Sequence, residues 1–502
     1  MKNKVFKEFR EKLLELWHLN SALAVLSWDQ EVNMPENGAD LRAKTIASLA
    51  GLLHGKFVSK EFSTVINKVK KFSDNGELNK KETAIFREVW REFSREEKLS
   101  SEFVEELAEL CSKSQSVWSE ARKKSNFKIF QPYLEKIVEL KRKEAKFVGY
   151  EKSPYDALID TYEPGMTSEE LSVIFYELKI FLVDILQKIK KSKKKIDARK
   201  LKGNFPIEKQ EKLNKFIAEK MGFNFESGRM DISTHPFTTN FHPDDVRITT
   251  RYDEKNLFYS VLSTIHETGH ALYEQGIEMK NFGTPLGESI SLGIHESQSR
   301  IWEKNIGQSQ EFWKCFYPDL KKNFPDVFRK LKLVELYEVI NEVKPSSIRT
   351  EADELTYNLH IILRFEIEKE LIEGSIEVAD LPKIWNSKMK EYLGIKILKD
   401  SQGILQDVHW SGGSIGYFPT YTLGNLYAAQ LYAKIKKDIP DLKKEIENGN
   451  FENILAWLRK NIHTHGKLYT ADELIRKITG ETLSSKYFMD YINNKYGKIY
   501  EL

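Results

Sequence analysis

Cysteine is nearly missing from this chain: Cys111 and Cys315 are the only two among 502 residues. A disulfide framework is therefore not expected, and a reducing compartment is. Proline and glycine are scarce too, 14 and 26 in all, so most breaks between elements fall to short polar turns. Neither sign of charge dominates, with 78 basic against 75 acidic side chains and a net +3. A dedicated nucleic-acid binder concentrates basic charge far more heavily, so nucleic acid is not an expected partner. No apolar run approaches the roughly 20 residues that span a bilayer. The N-terminal stretch alternates charged and apolar residues where a signal peptide would have a continuous apolar core. Apolar residues at 40% and charged residues at 30% are ordinary for a globular protein. A cytoplasmic protein without a membrane partner is expected.

What is present is helix. Phe6, Phe9, Leu13, Leu16 and Trp17 recur at spacings of three and four, one apolar stripe. Similar patterns run through 40–55, 80–95, 102–122, 131–147 and 168–190. The lysine run from Lys188 to Lys195 reads as a solvated helix end and marks a boundary. From 225 to 255 the chain turns rich in Thr, Ser, Asp and Pro, and alternations such as Val246-Arg247-Ile248-Thr249 predict a small sheet of two or three strands. Helices then resume, interrupted by a Gly-rich stretch at 403–424. This length exceeds one ordinary hydrophobic core. The reading is a mainly α body with an N-terminal helical part over 1–200 and a catalytic part over 201–502.

The chemistry concentrates at His266-Glu267-Thr268-Gly269-His270. The preceding turns are apolar (Leu257, Phe258, Val261, Leu262, Ile265), which predicts a buried helix. Histidines four apart share one helix face about 6 Å apart and can bind a single zinc ion. Glu267 then reaches a water on the metal's open position. Zinc brings that water's pKa to about 7, and the carboxylate can take its proton and later hand it to the leaving amine. This is the zincin arrangement for peptide hydrolysis. Gly269 in mid-helix costs about 1 kcal/mol relative to alanine, which points to close approach of another segment or a ligand. A non-catalytic helical binder would not need Glu267.

A third protein ligand is required. The metzincin continuation needs glycine at 273 and histidine at 276; the chain has Tyr273 and Gly276. A later glutamate is expected, from Glu274, Glu278, Glu288, Glu296 and Glu303. A helix returning antiparallel could bring Glu296 beside His266 and His270, with His295 a competing ligand or a group that orients one. Seven of the 11 histidines lie between 235 and 409, in keeping with a polar site in that half. Arg349 reads either as a helix-surface ion pair with Asp353 or as a carboxylate clamp, and Arg247 has the same two readings. His409, Tyr417 and Tyr421 are candidate donors to the oxyanion formed on a scissile carbonyl.

Together these segments resemble the thermostable carboxypeptidase 1 family of zinc- or cobalt-dependent metallocarboxypeptidases. The matching runs are SWDQEVNMP at 27–35, HPF at 235–237, DVRIT at 245–249, HETGH at 266–270, HESQ at 295–298, IRTEAD at 348–353 and GILQDVHW at 403–410. They cover almost the whole chain without departure. The resemblance implies His266, His270 and Glu296 as metal ligands and Glu267 as general base and acid. It implies Arg349 as holder of the substrate's C-terminal carboxylate, helped by His235 and Arg247. His409 with Tyr417 or Tyr421 would polarise the carbonyl. It further implies a helical, neurolysin-like fold with a deep groove between lobes and one divalent metal per chain. Also implied are a homodimer, and release of single C-terminal residues with broad specificity, poorly at proline. A zinc endopeptidase or oligopeptidase on the same scaffold is the alternative.

Overall fold

The computed structural model describes Lys2–Leu502, and its helices begin where the sequence supplies caps. Ser59, Ser100, Asn126 and Ser309 each accept a backbone N–H at the start of a helix. Thr167 and Thr470 do so within capping boxes, with Glu170 and Glu473 bonding back. Each such cap is worth about 1 kcal/mol because the first turn's N–H groups have no helical acceptor. The apolar stripes lie on the observed helices Lys2–Val32, Ala39–Phe57, Lys80–Glu96, Ser101–Lys124, Phe127–Val148 and Ser168–Lys191. Among the described residues no helix is long and apolar enough to cross a membrane.

The chain forms two compact units that interleave along the sequence, whereas the expected boundary at 200 cuts it once. The first is Met1–Glu96, Asp197–Ile340 and Leu431–Thr482; the second is Glu97–Ile196, Asn341–Gln430 and Leu483–Leu502. The chain passes from the second unit to the first immediately after the lysine run.

In the first unit, β1 (Gly228–Ile232), β2 (Thr238–His242) and β3 (Asp245–Thr250) make the sheet expected between 225 and 255. Their order is β1-β3-β2, with β1 parallel and β2 antiparallel to β3. Trp28 is buried on the N-terminal helix. Its ring lies 4.3 Å from the guanidinium of Arg247 and 5.1 Å from that of Arg229, two residues paired across β1 and β3. Such cation–π contacts seat that helix on the sheet.

The helix Leu257–Glu274, here called the motif helix, packs on β2 and β3, on the helix Ile207–Met221 and on the return helix, Leu292–Arg300. Val261, Ile265, Ala271 and Leu272 are fully buried. The helix is apolar on successive faces because it has neighbours on successive faces. The return helix continues as a π-helix, Ile301–Gly307. In the second unit the helix Glu354–Glu373, here the buried helix, is enclosed along most of its length.

Candidate metal centre

The motif helix presents His266 and His270 one turn apart, with ring centroids separated by 5.0 Å. The return helix brings Glu296 to them: its Oε2 is 3.2 Å from His270 Nε2 and 3.7 Å from His266 Nε2. One ligand atom from each residue lies within 4.8 Å of the others. Tetrahedral ligands at about 2.1 Å from a zinc ion stand about 3.4 Å apart, so the spacing fits a single ion.

Gly269 makes that approach feasible. A Cβ there would lie 2.7 Å from the Ser299 Cα and 2.9 Å from the Gln298 carbonyl oxygen. The two helix backbones are in contact at that point, which places Glu296 one turn away beside the imidazoles. The π-helix, a rare form frequent at functional sites, carries Glu303. Its Oε2 is 2.8 Å from His266 Nδ1, which leaves Nε2 for a metal. This carboxylate–histidine contact fixes ring orientation and tautomer. Arg300 donates to Glu296 at 2.7 Å and to Glu303 at 3.2 Å, and so ties the two carboxylates together.

Each remaining glutamate candidate is engaged elsewhere. Glu274 Oε1 lies 2.8 Å from His295 Nε2, and its Oε2 accepts from Asn240. Glu278 pairs with Lys280, and Glu288 with Lys467. His295 stacks on His270 with centroids 4.3 Å apart and lies outside the candidate ligand group.

Glu267 is buried beside the pair, and Thr238 at the start of β2 donates to its Oε2 at 2.6 Å. Burial pushes the Glu267 carboxyl above its ordinary value, against the pull of His266 and of the Thr238 hydrogen bond. Burial, helped by His295, pushes His270 down to about 3; the neutral ring is the form that coordinates metal. Burial also opposes a charge on Glu296, but Arg300 and His266 hold it well below its usual range.

In the second unit Arg349 is buried. Its partner is not Asp353, which instead caps the buried helix by accepting from the Leu355 and Thr356 amides. Residues 349–351 form a separate short turn, so the i to i+4 spacing never lies on one helix. Arg349 Nε donates to Asp407 at 2.9 Å and Nη1 to the Tyr357 hydroxyl at 3.0 Å. Asp407 also receives Arg364 Nε at 2.8 Å. Two guanidinium groups thus share one carboxylate. His409 Nε2 stands 3.4 Å from the Tyr421 hydroxyl, and the Tyr417 ring is 5.5 Å away. Burial pushes His409 down to about 4, although Asp407 pulls the other way.

Compared with known proteins, residues 8–496 match the family model for carboxypeptidase Taq (M32) metallopeptidase. The chain belongs to that family. It is 41% identical over 497 residues to "Carboxypeptidase 1" of Bacillus subtilis (strain 168), covering 99% of both chains. It is 41% identical over 502 residues to "Thermostable carboxypeptidase 1" of Pyrococcus furiosus, covering 98% of this chain and 99% of that one. The solved M32 carboxypeptidase from Deinococcus radiodurans R1 superimposes with a TM-score of 0.96 at 35% identity, covering 99% of this chain and 100% of that one. This M32 chain is a metallocarboxypeptidase.

Among the residues singled out in the sequence of this family member, His266, Glu267, His270 and Glu296 come together in the first unit. Arg349, His409, Tyr417 and Tyr421 come together in the second. His235 is exposed just before β2. The Arg247 fork is filled by Asp245, at 2.8 and 2.9 Å. Sequence reasoning missed Thr238 and Asp407, and weighed Glu303 only as a ligand. Glu303 lies seven residues after Glu296, a same-face spacing that could have suggested its part.

Proposed function

We propose that this metallocarboxypeptidase releases single residues from the free C-termini of peptides with one zinc ion held by His266, His270 and Glu296, cobalt being the alternative ion. The observation that carries the reading is the convergence of both Nε2 atoms with the Glu296 carboxylate, beside a buried Glu267. Two imidazoles and a carboxylate are a donor set that suits zinc. Such an ion, when bound, supplies Lewis acidity to the scissile carbonyl and brings the pKa of water near neutrality.

The protein's own groups do the rest. Glu267 takes a proton from the attacking water and returns it to the leaving nitrogen. Thr238 occupies one of its oxygens and so fixes the direction of the other. Arg349 takes the substrate carboxylate: Nε and Nη1 are committed to Asp407 and Tyr357, and among the described residues Nη2 has no such bond. A cluster of two guanidinium groups on one carboxylate is suited to a further anion. His409, uncharged at neutral pH, and Tyr417 or Tyr421 donate to the developing oxyanion. His235 is a helper in substrate binding, and Arg247 acts by holding β3 against Trp28.

Broad side-chain tolerance, slow release of C-terminal proline, a homodimeric state and a cytoplasmic location are carried into this proposal on the family resemblance. The test is one peptide offered with a free and with an amidated C-terminus, before and after chelation. Cleavage of the free form alone, lost on chelation and restored by zinc or cobalt, is expected. Equal cleavage of both forms would sink the reading.

A further inference from the structure

The buried helix carries a polar row that packing alone does not require. Tyr357, His360, Arg364 and Glu368 recur at spacings of three and four on one face. His360, Arg364 and Glu368 are fully buried. Polar and charged groups in such a place destabilise a fold unless each is paired, so their partners reveal the purpose of the row. Arg364 reaches Asp407. Glu368 gathers three donors: the Tyr155 hydroxyl at 2.6 Å, the Trp410 indole N–H at 2.7 Å and the Gly416 amide at 2.9 Å. The segment 407–417 is thereby held at Asp407, at Trp410 and at Gly416. His409 lies between the first two points, and Tyr417 follows the third.

Gly416 adds a steric limit. Its φ is +93°, and a Cβ there would lie 2.8 Å from the Leu158 carbonyl oxygen. The segment is therefore pressed against the short helix Pro154–Ile159, which also carries Tyr155. Burial pushes the Glu368 carboxyl up to about 7 even though Tyr155, Gly416 and Trp410 all bond to it. A carboxylate kept where burial opposes its charge this strongly is an expensive way to pin a loop that needed no fixed geometry.

We infer that Glu368 is a positioning residue of the reaction, fixing through Trp410 and the Gly416 amide the segment that presents His409 and Tyr417. This inference rests on the reading of those two side chains as oxyanion donors. Donors of that kind act only when they sit at the place where charge develops.

The test is steady-state kinetics of metal-saturated E368Q, H409A, Y417F and the double variant E368Q/H409A on a short peptide with a free C-terminus. E368Q should bind the same amount of metal. Its kcat should fall about 10- to 100-fold, the scale of a misplaced catalytic group, with KM moving less than about threefold. In the H409A background E368Q should cost less than it does in the wild type, since only its effect through Tyr417 remains. Should E368Q fail to fold, W410F removes one of the three donors and should show a smaller loss of the same kind. Lowered kcat in H409A and Y417F with full kcat in E368Q overturns the inference alone, as do fully multiplied losses in the double variant. Full kcat in both H409A and Y417F overturns the oxyanion assignment and this inference with it.

Discussion

The two polar clusters of this enzyme are built in opposite ways. The metal centre in the first unit is made by two touching helices. Two of its three candidate ligands sit at fixed helical spacing, and backbone contact at Gly269 brings the return helix close beside them. The Arg349 cluster in the second unit is made by irregular segments, 346–353 and 403–418, that owe their shape to side chains. Asp407 bridges Arg349 and Arg364, and Glu368 holds Trp410 and Gly416. The first arrangement resists change because its geometry is steric. The second depends on buried charges, each of which fails if its partner is removed.

The largest expected effect is chemical and falls on the first cluster. Glu267→Gln should lower kcat by about 10²- to 10⁴-fold, the contribution of a positioned general base, while metal content stays at one per chain by elemental analysis. Retained activity would remove Glu267 from the mechanism. Next comes the second cluster, where Asp407→Asn should destabilise the fold by about 3–5 kcal/mol, because it leaves Arg349 and Arg364 without their shared anion. Burial opposes the Asp407 charge, but Arg364 and Arg349 hold its carboxyl well below the ordinary value. Its stabilisation is therefore complete above the unfolded value near 4 and is lost as pH falls through the lower folded value. Thermal melts of wild type should drop in acid more steeply than those of the variant. Parallel curves would show that this pair contributes nothing.

Smaller effects test the rigidity assigned to the metal centre. Glu303→Gln should weaken metal affinity about 10- to 100-fold in a chelator competition, since His266 loses its orienting carboxylate. An unchanged affinity would leave Glu303 no part in holding that ring. Gly269→Ala should cost about 1–3 kcal/mol of overpacking and weaken metal binding as well, because the helices must separate. Loss of stability at unchanged metal affinity would show that Glu296 does not depend on that contact.

The contrast also explains what could be read in the sequence. His266, Glu267 and His270 lie within five residues, so helical periodicity alone places them together. Glu296 required a fold-level step, an antiparallel return, and Gly269 supplied the local hint that such a return passes close by. Thr238 could not be found this way, because its contact with Glu267 depends on how β2 packs across the motif helix. Asp407 lies 58 residues from Arg349, and no periodicity links segments that follow no repeat. The ion pair expected between Arg349 and Asp353 failed for a local reason: the helix begins only at Glu354, with Asp353 spent as its cap. The sheet near 225–255 was legible through its alternation, but its order, with β3 central and β1 parallel to it, was not. The roles proposed for the second unit came from residue chemistry and the family resemblance, not from the chain's own spacing.

Contact at Gly269 has a further meaning for how the site tolerates motion. Two backbones at van der Waals distance behave as a hard stop. Thermal fluctuation cannot bring the two helix backbones closer at that point. A site with that stop is already at the size of its ion before the ion arrives, so binding needs little rearrangement. An ion smaller than zinc could not draw the two helices closer, because the limit is set by main chain at Gly269.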